Sequence, residues 1–336
     1  MSAGWSGAQS ATPLHRPPDP SHDEVIMIIP RRSLALTLAA VLTLAACSGA
    51  ADSPAPTSPT SETSGASAAP TTQPSARATT DVQIDHVHGL GFSPDGAILV
   101  GSHSGVYSIP ADGSETTLVG GISFDAMGMT PVGDRIYASG HPGTDDHVAL
   151  TAPNLGLIQF QPGSGWEAIA LAGEVDFHAL TASAADPDVI VGVSSGRAVV
   201  ELSTDGGQTW QDIADGPAFD VVVSQDTPEL ILSTSENGPM VSTDQGATFA
   251  PAEGAPFLGL VEPDLSRPDG VVGVDVDGVI WSGSLTGSDD WEELGRSTGS
   301  AAAIARAPDG RLVISGDGGL QVSSDDGQTW TGIGGA

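Results

Sequence analysis

The sequence contains no lysine and only one cysteine, and each shortage excludes a class of protein. Its ten basic residues are outnumbered by 42 acidic ones, which gives the 336 residues a net charge of -32. So acidic a chain repels phosphate backbones, and we expect no nucleic-acid partner. The lone Cys47 excludes intramolecular disulfides and cysteine-rich zinc sites. Abundant glycine (44) and proline (25) predict an all-β, turn-rich domain instead.

Residues 1–46 are typical of a leader that contains a lipoprotein signal peptide. Arg31 and Arg32 precede an apolar run that is too short to span a bilayer comfortably. The run ends in the letters LAAC at Cys47, which resemble the lipobox of bacterial lipoproteins. The resemblance implies that acylated Cys47 tethers the chain to the outer face of the cytoplasmic membrane. A plain signal peptide with a chance cysteine is the alternative, and Met27 is the expected true start.

The segment 47–80 is predicted to be a disordered linker. It consists almost entirely of serine, threonine, alanine and proline, so it cannot bury enough apolar surface to fold. The globular part is therefore expected within 81–336.

A motif of the form Ser-x-Asp-x-Gly-x-Thr-aromatic recurs within 81–336. Its copies begin at Ser203, Ser242 and Ser323, and a degenerate copy ending at Trp291 fits the gap between the last two. Six repeats of about 40 residues, each with roughly four short strands, predict a β-propeller. Six blades account for the whole of 81–336. A seventh blade is possible only if two blades have been counted as one across 130–165.

The motif resembles the Asp-box, or BNR repeat, of sialidases and sortilin-type receptors. The resemblance implies that Asp205, Asp244 and Asp325 are structural residues that accept backbone amides in tight hairpins. Further motifs around His88, His141 and His178 resemble bacterial lipoproteins described as BNR/Asp-box glycosylhydrolase-like proteins. That name implies a hydrolase, although the boxes themselves report fold rather than reaction.

One end of the predicted propeller, here called the top face, is expected to carry the site. The first strand of each blade begins there and the second strand ends there. Five histidines occupy such positions: His86, His88, His103, His141 and His178. Carboxylates join them at Asp125, Asp176 and Asp220, and we align Asp125 and Asp220 with His88 and His178. Imidazoles with carboxylates suit a transition-metal ion, with His86, His88 and His178 as candidate ligands. A polar ligand site without metal remains open.

These positions predict a non-catalytic protein that binds a ligand, a cation or a partner at the cell envelope. A glycoside hydrolase that pairs Asp125 with Asp176 or Asp220 is one alternative, because such enzymes need two nearby carboxylates. An assembly or maturation factor is another. Sialidase chemistry is not expected, since no arginine begins a first strand and only two tyrosines are present.

Overall fold

The structure is a computed structural model that describes residues 77–78, 84–111, 114–143, 150, 152–287 and 290–333. All of them belong to one compact unit, Ala68–Ala336. The predicted leader, Cys47 and the linker up to residue 76 lie outside the described residues. None of the described helices is long and apolar enough to cross a membrane.

The described residues form six antiparallel sheets that follow one another along the chain, which confirms a six-bladed propeller. Blade 1 contains β1 (Arg77–Ala78), β2 (Val87–Phe92), β3 (Ile98–Ser102), β4 (Gly105–Ile109) and β5 (Thr117–Leu118). After a 3-10 turn at Val119–Gly121, blade 2 contains β6 (Phe124–Val132), β7 (Arg135–Pro142), β8 (Leu157–Gln161) and β9 (Gly165–Ala170). Blade 3 contains β10 (Phe177–Ala182), β11 (Ile190–Ser194), β12 (Val199–Ser203) and β13 (Gln211–Asp215).

The last three blades keep the same order of strands. Blade 4 contains β14 (Ala218–Val223), β15 (Ile231–Ser235), β16 (Met240–Ser242) and β17 (Ala250–Pro251). Blade 5 contains β18 (Leu258–Pro263), β19 (Gly270–Asp275), β20 (Val279–Ser284) and β21 (Glu292–Arg296). Blade 6 contains β22 (Ala301–Arg306), β23 (Leu312–Gly316), β24 (Gln321–Ser323) and β25 (Thr331–Gly332). The described residues of the stretch 130–165 belong to blade 2 alone, so they contain no seventh blade.

Hydrophobic cores lie between neighbouring blades and hold the ring together. Buried aliphatic and aromatic side chains from both faces of each sheet form six such clusters. The cluster that closes the ring joins Leu90 and Val100 of blade 1 to Ala303 and Val313 of blade 6. Each sheet is thus apolar on both faces, because both faces are covered by a neighbour.

The first strand of the chain extends blade 1 on its outer side. β1 pairs with β5, with Arg77 opposite Leu118 and Ala78 opposite Thr117. These two residues fall within the segment predicted as linker, so ordered pairing begins before residue 81. The four remaining strands of blade 1 are contiguous in sequence.

The three Asp-boxes have the same hydrogen bonds, as the motif predicts. In the first box, Ser203 Oγ accepts the Gly207 amide at 2.9 Å, and Asp205 Oδ1 accepts the Thr209 amide at 2.9 Å. Asp205 Oδ2 also accepts the Thr209 hydroxyl at 2.6 Å. Asp244 and Asp325 repeat this pattern. In each box the threonine bonds hold the pKa of the aspartate below its ordinary value.

Blade 5 carries a reduced version of the box. Ser284 Oγ accepts the Thr286 amide at 3.2 Å, so Thr286 takes the place that the aspartate has in the complete boxes. Trp291 still packs against Gly283, where an added Cβ would lie 2.4 Å from the indole ring. The turn and its aromatic residue therefore persist without the carboxylate.

One strand of every blade contains a β-bulge at the same place. In blade 1 this strand is β2, and in each other blade it is the first strand. In β2, for example, Val87 pairs with Ser102 and Gly89 with Gly101, so His88 is an extra residue without a partner. The six extra residues, from blade 1 to blade 6, are His88, Met127, His178, Phe219, Gly259 and Ala302. We call these the bulge positions. A bulge re-aims a side chain without ending the strand, and here it does so six times around one axis.

Candidate metal centre at the top face

Three histidines gather at the top of blade 1. His86 precedes β2, His88 is in it, and His103 follows β3, so the β2–β3 pairing brings them together. The His103 ring stacks on both others, with ring centroids 4.9 Å from His86 and 4.7 Å from His88. The His103 amide donates to the His86 carbonyl at 3.3 Å, and His86 adopts a left-handed φ of 44°. This backbone conformation is uncommon for a residue other than glycine.

Asp125 from blade 2 joins this group. Donor atoms of His88, His103 and Asp125 all lie within 4.8 Å of one another. In the part of the chain that the structure describes, no other set of three such side chains has this spacing. Gly140 on β7 positions Asp125, because a Cβ there would lie 1.9 Å from the Asp125 carbonyl oxygen. Glycine thus lets β7 pass directly beside Asp125.

Two polar atoms of this group are buried without a hydrogen-bond partner. They are His88 Nε2 and Asp125 Oδ1. The Asp125 atom lies 3.9 Å from His103 Nε2, which is too long for a hydrogen bond. Leaving such an atom unsatisfied costs about 1–3 kcal/mol. An imidazole nitrogen and a carboxylate oxygen in this arrangement fit a shared transition-metal ion, which would satisfy both.

The protonation state of His88 favours coordination. Burial lowers the pKa of the His88 imidazole, and the neighbouring His103 charge lowers it further. His88 is therefore neutral at neutral pH, with a lone pair available to a metal ion.

A second histidine–carboxylate cluster lies beside the first. Buried Asp176 accepts a hydrogen bond from His178 Nε2 at 2.8 Å, and His141 Nε2 lies 3.4 Å from the same oxygen. His141 Nδ1 donates to the Pro153 carbonyl at 3.1 Å. The bond to Asp176 raises the pKa of His178. His178 is thus engaged with a carboxylate, unlike His88.

The sequence-predicted residues therefore separate into two groups. His86, His88, His103 and Asp125 come together on blades 1 and 2, whereas His141, Asp176 and His178 come together on blades 2 and 3. The predicted metal ligands His86, His88 and His178 are divided between these groups. His103, predicted only as a ligand-binding residue, lies closer to His88 (ring centroids 4.7 Å apart) than His86 does (6.1 Å).

The known families and structures that resemble this chain agree on its architecture. The family model described as the BNR/Asp-box repeat matches residues 201–212, which contain the first complete box. The propeller carries a BNR/Asp-box repeat. No curated protein matches the propeller in sequence.

Solved structures similar to the propeller come from different functional classes. A GH74 xyloglucanase from Xanthomonas campestris is 16% identical with a TM-score of 0.50, over 76% of this chain and 46% of that one. A structure of a nidogen/laminin complex is 9% identical with a TM-score of 0.54, over 70% and 91%. An ancestral GH74 enzyme is 13% identical with a TM-score of 0.49, over 77% and 40%. This chain covers less than half of either GH74 chain. The likenesses to the xyloglucanase and to the nidogen/laminin complex show the fold alone.

The bulge positions show that the predicted alignment of Asp125 and Asp220 with His88 and His178 is wrong. Asp125 does not share a column with His88, because the extra residue of β6 is Met127 and Asp125 lies two residues earlier. Asp220 follows the extra residue Phe219 of β14. The alignment made from the sequence fails because it cannot locate the inserted residue.

The propeller also contains a carboxylate pair in its central channel, Asp220 with Glu262, of which the sequence predicted only Asp220. Asp220 accepts the Val221 amide at 2.8 Å and the Val261 amide at 2.9 Å. Burial nevertheless raises the pKa of Asp220 to about 7. Burial, together with the Asp220 charge, also raises the pKa of Glu262 well above its ordinary value. Glu262 is the single acidic residue of apolar β18, which is the one signal that could have revealed it.

One cavity of about 350 Å³ is lined by His86 and His88 of the first cluster, by His178 of the second, and by the carboxylate pair. Blades 1–3 line it with these histidines and Met127, whereas blades 4–6 contribute Asp220 and Glu262 together with apolar residues such as Phe219, Leu260 and Ala302. The histidines are therefore concentrated on one half of the ring and the carboxylate pair on the other.

Proposed function

We propose that this propeller binds a transition-metal ion at its top face, with His88, His103 and Asp125 as ligands. The observation that carries the proposal is the pair of buried, unpartnered atoms, His88 Nε2 and Asp125 Oδ1, in a group whose donors lie within 4.8 Å. Two imidazoles and a carboxylate suit Zn(II) or Cu(II). His86, stacked on His103, is the nearest further imidazole.

Charge and protonation support the same proposal. A net charge of -32 attracts cations toward the chain before any specific contact forms. The lowered pKa of His88 removes competition from protons at neutral pH. We also propose that acylated Cys47 tethers the propeller outside the cytoplasmic membrane, so that the site faces the extracytoplasmic space.

Metal titration of the purified chain tests the proposal. We expect Zn(II) and Cu(II) to bind with one ion per chain in calorimetry, and His88→Ala or His103→Ala to weaken binding by at least about 10- to 100-fold. His141→Ala is the matched control, because it removes an imidazole from the same face but from the other cluster. Equal affinity in His88→Ala and the parent chain would refute these ligands, as would the absence of stoichiometric binding.

A glycoside hydrolase is the second candidate, favoured by Asp220 and Glu262. A carboxyl group with a pKa of about 7 is suited to act as a general acid near neutral pH, and a second carboxyl lies beside it. The pairing of Asp125 with Asp176 or Asp220, considered from the sequence, stays a prediction. Hydrolysis of xyloglucan or related glucans, abolished by Asp220→Asn but not by His88→Ala, would favour the hydrolase over the metal-binding protein.

A further inference from the structure

The bulge positions place a methionine on the blade between two blades that carry histidines. Around the axis, consecutive blades contribute His88, Met127 and His178 at this position. Met127 thus lies on the blade between those of the two imidazoles. It also belongs to the same strand as Asp125, two residues away, and lines the same cavity as His88.

Packing does not explain the choice of methionine at this position. The same position holds Phe219, Gly259 and Ala302 on the other three blades, so the backbone accepts side chains from a hydrogen atom to a phenyl group. Met127 is only partly buried. Met129 also lines this cavity, but it is only 3% exposed and its side chain packs between blades against Gly101. The Met129 side chain therefore belongs to the core between blades 1 and 2, whereas the Met127 side chain is more exposed at the cavity.

A thioether is a soft, polarisable ligand that favours Cu(I) over Zn(II) and over hard cations. We propose that Met127 supplies its sulfur to the ion held by His88, and that the site thereby selects copper in its Cu(I) state. This inference rests on the proposed metal-binding function and specifies copper as the metal that the site binds. The donor set becomes imidazole and thioether for Cu(I), with the Asp125 carboxylate available for Cu(II).

Competition with a Cu(I)-specific chelator such as bathocuproine disulfonate measures the affinity directly. The full chain is used without oxygen and with Cys47→Ser in every sample, which removes the only thiol. We expect Met127→Leu, a substitution of similar volume, to weaken Cu(I) binding about 10- to 100-fold. Zn(II) affinity, measured separately, should stay within about twofold, since zinc gains little from a thioether.

Met129→Leu is the matched control, because it removes the other thioether of the same strand. Cu(I) affinity should not change in this variant. X-ray absorption at the copper edge adds a structural measurement. A sulfur neighbour of copper is expected in the parent and in Met129→Leu, and it should disappear in Met127→Leu.

The outcomes separate this inference from the function on which it rests. Unchanged Cu(I) affinity and a retained sulfur neighbour in Met127→Leu would overturn the role of Met127. If Zn(II) also binds in a His88-dependent manner, the metal-binding function would survive that result. A parent chain that binds neither Cu(I) nor Zn(II) would overturn both.

Discussion

Replacing Asp220 with asparagine tests whether the central channel imposes an electrostatic cost on the folded state. The native pKa of Asp220 is about 7 against an ordinary value of 3.8, because burial outweighs the two backbone amides that donate to it. The folded protein therefore binds this proton more tightly than the unfolded chain does. Stability should fall as the pH rises from about 4 to about 7, and the loss should then level off.

The size of the effect follows from the pKa shift. A rise from 3.8 to about 7 corresponds to about 4 kcal/mol of lost stability at alkaline pH. Roughly 3 kcal/mol of this loss accumulates between about pH 5 and about pH 8.5. The asparagine side chain has one acceptor oxygen for two backbone amides, so the substitution itself costs about 1–3 kcal/mol at every pH. Asp220→Asn should thus be less stable than the parent in acid and equally or more stable in alkali.

Denaturant unfolding of both proteins at a series of pH values measures this difference. The free energy of unfolding of the variant, minus that of the parent, should rise by roughly 3 kcal/mol from about pH 5 to about pH 8.5. Asp134→Asn, an exposed substitution in the β6–β7 turn, is the control and should leave the profile unchanged. A constant difference between Asp220→Asn and the parent across this range would refute the reasoning.

Other regions of the propeller give further predictions. Ser242→Ala removes the acceptor of a buried Asp-box amide and should cost about 1–3 kcal/mol in denaturant unfolding, whereas an unchanged midpoint would contradict a structural role for the box. Arg306→Met leaves the fully buried Asp264 carboxylate without its ion pair and should lower unfolding stability by about 3–5 kcal/mol. Asp176→Asn should lower the pKa of His178 in an NMR titration, because the bond that favours protonated His178 is lost. The stabilisation from that bond is present at acid pH and disappears as the pH rises through the His178 pKa, so the variant should lose stability mainly in acid.

The blade count could be predicted because its signal is local and repeated. Each complete Asp-box joins its serine, aspartate and threonine within a single hairpin, so the spacing of the boxes in sequence is the spacing of the blades. The closing contact between blades 1 and 6 required no separate signal, since Leu90 and Ala303 follow the same apolar pattern as every other interface.

The site was less predictable because it depends on register. Side chains alternate between faces along a strand, so one inserted residue reverses the pattern beyond it. An apolar run such as that around Met127 does not show where the insertion lies. Glu262 was missed for a different reason, since its pKa is raised first by burial in the folded ring and then by the charge of Asp220, a residue on the neighbouring blade. Such pairing depends on ring geometry rather than on sequence spacing.

The repeated bulge makes the channel mouth a set of interchangeable positions. Because the extra residue has no partner on the neighbouring strand, its side chain can be changed without removing the backbone hydrogen bonds that form the blade. The residues at the channel mouth can therefore be changed one blade at a time, and histidines in place of Gly259 and Ala302 would extend the histidine donors to blades 5 and 6. In this architecture, ligand preference can change while the scaffold stays the same.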